Sequence, residues 1–173
     1  MMECRRVNSK DIESIEEYFK QLSPETESYF APHAFDINTI ASICHENHHD
    51  YRAFICSTNN SVAAYFVVKK SLSEEEANRF SKYPIRRSKE SDYVLAPSVA
   101  DAFQSQGIGS TLFSHVETEL RKLGAEKIIL WGGVQLRNQR AVRFYLKNGF
   151  RTLGEFHHND LDNLDMVKYL DDL

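Results

Sequence analysis

Gln104-Ser105-Gln106-Gly107-Ile108-Gly109 (QSQGIG) decides the fold, because it joins a strand pattern to a helix pattern. Its glycines come just before an apolar series with helical spacing, formed by Ile108, Leu112, Val116 and Leu120. Such a stretch makes a tight turn that leaves the backbone uncovered where a helix begins. The first amides of a helix lack intrahelical acceptors and lie at the positive end of its dipole. The stretch therefore predicts a turn that binds phosphate or pyrophosphate.

The spacing of the glycines excludes two common nucleotide-binding motifs. A dinucleotide fold needs a third glycine where this chain has Leu112, and a P-loop needs lysine where it has Ser110. The pattern that remains, Gln-x-x-Gly-x-Gly at the start of a helix, resembles the pyrophosphate-binding signature of the GNAT acetyltransferase superfamily. The alternative is a helix N-terminus that happens to contain glycines.

A second stretch, Asn138 to Phe150 (NQRAVRFYLKNGF), is similar to the second GNAT signature, Asn-x-x-Ala-x-x-Phe-Tyr followed by Gly-Phe. In physical terms it is a short helix that Asn138 can cap and that Gly149 can end in a left-handed conformation. Because both signatures occur in the expected order, the chain is identified as a member of the GNAT superfamily. The resemblance covers residues 91–170, and the N-terminal half matches only in general layout.

The resemblance implies an α/β (α+β) fold with a mixed, mostly antiparallel twisted sheet. We expect about six to seven strands and about four flanking helices, with a splay between the fourth and fifth strands. With 42% hydrophobic and 27% charged residues, the chain is expected to form a single domain over residues 1–173. The patterns predict strands at 3–7, 51–57, 61–69, 93–99, 126–134, 151–157 and 164–170. Helices are predicted at 11–22 and 37–48 and after residues 107 and 138, with a turn-rich segment at 24–36.

Composition gives no reason to expect nucleic-acid or membrane partners. The net charge is −4, and no run approaches the roughly 18 apolar residues of a membrane span. The N-terminus MMECRR lacks the apolar segment of a signal peptide, so we expect a cytoplasmic protein. Cys4, Cys44 and Cys56 are odd in number and lack metal spacing, which predicts reduced thiols. The histidine pairs at 48–49 and 157–158 also lack neighbouring ligands, so no metal site is expected.

The resemblance assigns roles to individual residues. It implies that acetyl-CoA binds through Asn138 and through the turn with its flanks, namely Val99, Gln104, Ser105, Gln106, Gly107, Ile108, Gly109 and Ser110. Backbone amides near Val99 would polarise the thioester carbonyl, and Tyr145 would protonate the departing thiolate. A phenol with a pKa of about 10 suits a thiolate of similar basicity. The alternative for Tyr145 is a buried core tyrosine bonded to a backbone carbonyl.

Two positions of the turn depart from the usual family pattern. Asp101 stands where the family has proline, and Gln104 stands where it has arginine, although glutamine is a common alternative there. Asp101 is acceptable in a turn. Neither departure removes the resemblance.

In this family the connection between the first two helices lines the acceptor pocket. The resemblance therefore makes Tyr29, Phe30 and His33 candidates for acceptor binding. The alternative is that these aromatic residues only pack the segment onto the sheet. The general base stays open among Asp92, His33 and an ordered water chain, because the strand at 93–99 contains no carboxylate.

The long segment 70–91 ends in a basic cluster of Lys82, Arg86, Arg87 and Lys89. Loops of this length are uncommon in compact domains unless they have a function. The cluster is suited to contact a phosphate of coenzyme A or of the acceptor. The alternative is a solvated charged face.

The predicted function is acetyl-CoA-dependent N-acetyltransfer (EC 2.3.1) to the primary amine of a small molecule, by direct attack on the thioester. Two alternatives stay open: a protein or peptide N-acetyltransferase, and a non-catalytic acyl-CoA-binding sensor. A homodimer is compatible with the family. The identity of the acceptor and the use of other acyl groups are not encoded in the motifs.

Overall fold

The computed structural model of the chain describes residues 2–30, 32–45, 50–59 and 61–170. Within these residues there are eight strands: β1 Met2–Arg6, β2 Tyr51–Thr58, β3 Ser61–Lys70, β4 Asp92–Val99, β5 Lys127–Leu130, β6 Val134–Gln135, β7 Arg151–His158 and β8 Leu161–Tyr169. The described residues also form six α-helices: α1 Ile12–Lys20, α2 Pro24–Tyr29, α3 Ile37–Cys44, α4 Glu74–Phe80, α5 Ile108–Lys122 and α6 Gln139–Lys147. Both counts are slightly higher than the sequence predicted.

Strand pairing is mixed and mostly antiparallel. β1 pairs antiparallel with β2, and β5, β6 and β7 each pair antiparallel with β8. β4 and β5 are parallel, from the pair Asp92 and Lys127 to the pair Leu95 and Leu130. β4 continues to Val99 beyond this pairing, whereas β5 ends at Leu130. The predicted fold class is confirmed.

The chain divides into two compact units. The first consists of Met1–Val68 and Ala96–Thr118, and the second of Lys69–Leu95 and Glu119–Leu173. The prediction of a single domain over residues 1–173 stays a prediction.

The first unit contains β1, β2, most of β3 and the end of β4, together with α1, α2, α3 and the start of α5. Its core is large and apolar, with Ile15, Phe54, Tyr65 and Leu112 almost fully buried. Ahead of α1, Asn8 and Asp11 form a reciprocal capping box. The apolar residues of α1 recur at helical spacing, which explains why this amphipathic segment is a helix.

The segment 24–36 differs from the predicted turn-rich connection, because it begins with the helix α2. Ser23 caps this helix by accepting a hydrogen bond from the Thr26 amide, and Pro24 occupies the first helical position. Proline is favoured there because its missing N–H would be unpaired anyway. α3 ends at Cys44 and His45 is its extended C-cap, so the helix is shorter there than the predicted 37–48, and the rest of the prediction, residues 46–48, lies outside the described residues.

Two of the three cysteines do not fit the prediction of reduced thiols. Cys4 lies directly opposite Cys56 in the β1–β2 ladder, and the two residues are joined as a disulfide. The prediction is therefore wrong for this pair, because strand register rather than sequence spacing brings the two side chains together. Cys44 is free and buried, and burial raises the pKa of its thiol to about 11.

The second unit contains the start of β4, strands β5 to β8, and helices α4 and α6. The predicted strand at 126–134 is interrupted: β5 ends at Leu130, and β6 begins at Val134 as a separate partner of β8. Gly132 and Gly133 have φ of +70° and +72°, a left-handed backbone that ends the extended conformation between the two strands.

Helix α4, which belongs to the long segment 70–91, packs against other residues of the second unit. Phe80 is buried in an apolar cluster with Val94, Ile129 and Val167. Next to it, the Nε of Arg79 donates to both carboxylate oxygens of Asp165, at 3.1 and 3.0 Å. The segment is therefore anchored by apolar burial and by an ion pair.

Candidate functional site

The turn between β4 and α5 has the conformation that the glycines require. After β4, a short 3-10 turn spans Asp101–Phe103, and Ser105 and Gly107 then adopt φ of +60° and +83° before α5 begins at Ile108. A Cβ atom at Gly107 would meet nothing within 4 Å, so glycine is favoured there by its backbone angle rather than by a lack of space. We call residues 104–110 the cofactor turn.

The cofactor turn has the chemistry of an anion site. The Thr111 amide donates to the carbonyl of Gly107 at 3.0 Å. For the amides before Thr111 in α5, the residue four positions back lies outside the helix. They lie at the positive end of the helix dipole, next to the left-handed residues Ser105 and Gly107. Backbone groups alone can therefore bind a phosphate or pyrophosphate here.

The predicted cofactor residues of the first unit differ in their exposure to solvent. Ser105, Gln106 and Gly107 are exposed, whereas Ile108 and Gly109 are buried. Val99, Gln104 and Ser110 are half-buried. Their contacts with coenzyme A stay predictions.

The side chain of Gln104 is directed into the protein. Its Nε2 donates to the carbonyl of Val99 at 3.1 Å and to the hydroxyl of Thr26 at 3.3 Å. Next to Val99, the hydroxyls of Ser98 and Tyr18 share a hydrogen bond of 2.7 Å. The end of β4 is therefore held on both sides, which fixes the backbone that leads into the cofactor turn.

Asp101, noted in the sequence only as a departure, contacts the start of α2. Its carboxylate accepts from the amide of Ser23 at 3.0 Å and from the hydroxyls of Ser23 and Thr26 at 2.7 Å each. Partial desolvation raises the pKa of this carboxyl, but the hydrogen bonds from Ser23 and Thr26 outweigh it, so the pKa is lowered overall. The sequence signal for the start of α2 is Ser23-Pro24, since serine favours the cap and proline the first position of a helix.

Phe30 and His33, two of the three acceptor candidates, lie in an aromatic cluster of the same unit. Phe30 is 3% exposed and its ring lies 6.0 Å from Phe19, while Tyr29 is half-exposed. Phe35 stacks on Phe19 with ring centroids 4.3 Å apart. The burial and ring contacts of Phe30 agree with the alternative given in the sequence analysis, in which these aromatic residues only pack the segment. Acceptor binding by Tyr29, Phe30 and His33 stays a prediction.

His33 lies at the edge of this cluster with both ring nitrogens bonded to the protein. Nδ1 is 2.7 Å from the carbonyl oxygen of Ala34, which only accepts, so Nδ1 carries the proton. Nε2 then accepts from the hydroxyl of Tyr65 at 3.0 Å. Burial lowers the pKa of His33, which keeps the ring neutral near pH 7. As a general base His33 would first have to release Tyr65.

Asp92, another candidate base, is 2% exposed and forms an ion pair with Lys127, whose Nζ is 2.9 Å from its Oδ1. Its Oδ2 accepts from the amide of Ser88 at 2.8 Å. A buried carboxylate with these partners has a structural role in the second unit. The identity of the base stays open.

The second GNAT-like stretch forms α6 in the second unit. The side chain of Asn138 caps the helix by accepting from the amide of Ala141 at 3.2 Å, and Gly149 ends it with φ of +87°. Both caps were predicted from the sequence and are confirmed. Contact between Asn138 and the cofactor stays a prediction.

Tyr145 lies on the buried face of α6 at 5% exposure. Its ring packs against Phe144 and Phe150, with centroids 5.3 Å away in both cases. This is the packing of a buried core tyrosine, and the role of Tyr145 as an acid stays a prediction. Burial raises the pKa of the phenol, so it is protonated at neutral pH.

The segment 70–91 uses part of its basic cluster for its own attachment. Arg87 donates to the carbonyl of Ala77 at 2.6 Å, and Lys82 donates to the carbonyl of Glu155 at 3.5 Å. Glu76, which the sequence analysis passed over, accepts from the Gly132 amide at 3.0 Å. Phosphate binding by the cluster stays a prediction.

Among the described residues, no group of three or more His, Cys, Asp and Glu side chains could hold a metal ion. His157 lies within this range and bonds to Asp162 at 2.9 Å, whereas His48 and His49 lie outside the described residues. No helix in the described part of the chain is long and apolar enough to cross a membrane.

The sequence profile of the Acetyltransferase (GNAT) family matches residues 12–150, and the chain belongs to this family. The match includes both GNAT-like stretches, namely the cofactor turn and residues 138–150. No curated protein matches the chain.

Solved structures agree with the fold. The chain is similar to yncA from Salmonella typhimurium, solved with its cofactor acetyl-CoA, at 17% identity and a TM-score of 0.75 over 100% of this chain and 96% of that one. It is also similar to an acetyltransferase of the GNAT family from Streptococcus pneumoniae, at 17% identity and a TM-score of 0.75 over 98% and 99% of the two chains. The paia N-acetyltransferase from Thermoplasma acidophilum, in complex with coenzyme A, matches at 15% identity and a TM-score of 0.70 over 98% and 99%. At these identities the likeness establishes the fold alone.

Proposed function

We propose that this chain is an acetyl-CoA-dependent N-acetyltransferase that acts on the primary amine of a small molecule. The observation that carries the proposal is the cofactor turn, where left-handed Ser105 and Gly107 precede the first amides of α5. These groups are suited to the pyrophosphate of coenzyme A. Membership of the Acetyltransferase (GNAT) family supports the same ligand, as do the acetyl-CoA and coenzyme A complexes of the similar structures.

The proposed reaction is one direct transfer. The neutral amine attacks the thioester carbonyl, a C–N bond forms, the C–S bond breaks, and the acetyl group leaves coenzyme A as an amide of the acceptor. Backbone amides near Val99 would stabilise the developing oxyanion. The nitrogen loses its proton to water or to a base that is not yet assigned.

Tyr145 would supply the proton that the departing thiolate takes up. Its phenol is neutral at pH 7 because burial raises its pKa, so it carries a proton that could be transferred. The same shift moves the pKa away from that of a thiolate, so the proton is held more tightly than on an ordinary phenol. The assignment rests on the family motif, in which a tyrosine commonly occupies this position.

The test is release of the coenzyme A thiol from acetyl-CoA with a panel of polyamines, amino acids, amino sugars, nucleotide amino sugars and peptides. A small amine is expected to give turnover. Thiol release with peptides only would favour the protein acetyltransferase. Tight acetyl-CoA binding with no release across the panel would favour the sensor.

Tyr145→Phe tests the proposed acid within this assay. Removal of one hydroxyl is expected to lower kcat about 100-fold, which is typical of a lost general acid, while the Kd of acetyl-CoA changes less than about twofold. Tyr51→Phe, at a half-buried tyrosine of β2, is the matched control. Unchanged turnover in Tyr145→Phe would show that the proton comes from another group.

A further inference from the structure

The first turn of α2 is held by a side chain from outside the helix. α2 is only six residues long, and such a short helix gains little stability from its own hydrogen bonds. Its cap residue Ser23 and its buried residue Thr26 both donate hydrogen bonds to Asp101, which lies far along the chain in the 3-10 turn after β4. Asp101 therefore acts as a second cap supplied by another element.

Thr26 connects this contact to the cofactor turn. Its hydroxyl donates to Asp101 at 2.7 Å and accepts from the Nε2 of Gln104 at 3.3 Å. Gln104 directly precedes Ser105, the first left-handed residue of the cofactor turn. The Thr26 hydroxyl thus bonds to both Asp101 and Gln104, the residues that flank Ala102 and Phe103.

The same helix leads into the aromatic cluster that holds the acceptor candidates. At its C-terminal end Phe30 is buried, with Tyr29 half-exposed beside it. α2 therefore contacts residues next to the cofactor turn at one end and leads into the acceptor candidates at the other. By contrast, Asp36 caps α3 through Asn38 and Thr39, its near neighbours in sequence.

We propose that Asp101 is a positioning residue that couples the cofactor turn to α2, so that coenzyme A binding orders α2 and with it the segment that selects the acceptor. The proposal rests on the proposed function, because it takes coenzyme A as the ligand of the turn. Ordering at one site then strengthens binding at the other, and the coupling is reciprocal. The departure of Asp101 from the usual family proline has a physical reason in this role.

The test is amide hydrogen exchange of α2 in the full chain, with and without coenzyme A as the probe. In the wild type, coenzyme A is expected to slow exchange in α2. Without ligand, Thr26→Val and Asp101→Asn should each speed this exchange about fivefold, the size of one lost helix cap. Both variants should lose the response to coenzyme A while still binding it.

Three controls separate coupling from a general loss of structure. Thr26→Ser keeps the hydroxyl and should restore the response. Thr118→Val removes a hydroxyl that bonds only within α5, to the carbonyl of Ser114 at 2.9 Å, and should behave as the wild type. Asp36→Asn should speed exchange in α3 and leave the α2 response intact.

Coenzyme A binding without a change of exchange in wild-type α2 would overturn the proposal, and so would a full response in both Thr26→Val and Asp101→Asn. Calorimetry on the same samples keeps the two claims apart. If calorimetry shows that the wild type does not bind coenzyme A, the proposed function is contradicted, and the coupling fails with it.

Discussion

The two short helices α2 and α4 are anchored in different ways. α4 in the second unit places Phe80 in the core and pairs Arg79 with Asp165, whose side chain is 0% exposed. α2 in the first unit buries Phe30 at one end, but its other end is held by hydrogen bonds to Asp101, an exposed residue. Hydrogen bonds near solvent exchange readily with water, whereas a buried ion pair does not.

The difference indicates which segment is able to adjust. Local opening costs least where few apolar contacts are lost and the hydrogen bonds face solvent. α2 meets this description at its N-terminal end, and α4 does not. We therefore expect ligand-dependent changes in α2 and a fixed structural role for α4.

The largest effect is expected from Arg79→Ala, which breaks the anchor of α4. Among the described residues, the buried Asp165 carboxylate has Arg79 and Tyr83 as side-chain partners. The variant removes the ion pair and keeps the hydroxyl of Tyr83, at 2.8 Å. Loss of one partner of a buried pair costs about 3–5 kcal/mol. Denaturant unfolding measures the change.

The control is the exposed pair of Lys70 and Glu90, 3.3 Å apart. Lys70→Ala should cost less than about 1 kcal/mol, because exposed ion pairs contribute little. Equal unfolding midpoints for Arg79→Ala and Lys70→Ala would refute the view that α4 is firmly anchored.

A smaller effect is expected at the turn that Glu76 of α4 contacts. In Gly133→Ala, the new Cβ would lie 2.7 Å from both the Leu164 carbonyl oxygen and a ring carbon of Phe156, on a backbone with φ of +72°. Strain and overpacking together should cost about 3 kcal/mol.

Gly132→Ala is the matched comparison for that variant. Gly132 has nearly the same φ, +70°, but a Cβ there would meet nothing within 4 Å. Only the conformational cost of about 1–2 kcal/mol should remain. Thermal unfolding of the two variants separates close packing from backbone strain, and equal losses would contradict the packing argument.

The smallest effect is expected from Asp101→Asn, and it should depend on pH. The folded pKa of Asp101 is below its unfolded value, so its contribution is present above the unfolded pKa and is lost as the pH falls through the folded pKa. At pH 7 the variant should be about 1 kcal/mol less stable than the wild type, as for a lost helix cap, and salt should reduce the difference.

Denaturant unfolding at pH 7 and below pH 4 tests this dependence. The deficit of Asp101→Asn should shrink at acidic pH, because the wild-type carboxyl then becomes protonated. A deficit that stays constant across this range would show that the charge of Asp101 does not hold α2.

Local patterns predicted the cofactor turn and the elements around it. Gly107, Asn138 and Gly149 each act through the backbone of their own neighbourhood, as turn, cap and helix end, so their roles could be predicted from the sequence. Two signatures in order then indicated the mixed sheet.

What the sequence did not predict depends on partners far along the chain. The Cys4–Cys56 disulfide follows from strand register, and the contact of Asp101 with Thr26 follows from the packing of separate elements. The break at Gly132 was misjudged because its apolar neighbours continue a strand pattern across it. Ser23-Pro24 was a local signal for the start of α2, in a segment for which we had predicted turns alone.

A calorimetric titration of coenzyme A into Ser110→Glu tests whether the cofactor turn binds the pyrophosphate of coenzyme A. Glutamate in the first turn of α5 interacts favourably with the helix dipole, so the fold should be retained, but its charge opposes a phosphate bound at the turn. Ser114→Glu adds the same charge one turn later, at an exposed position. We predict about tenfold weaker binding for Ser110→Glu and less than about threefold for Ser114→Glu. Wild-type affinity in Ser110→Glu, or equal losses in both variants, would contradict the claim.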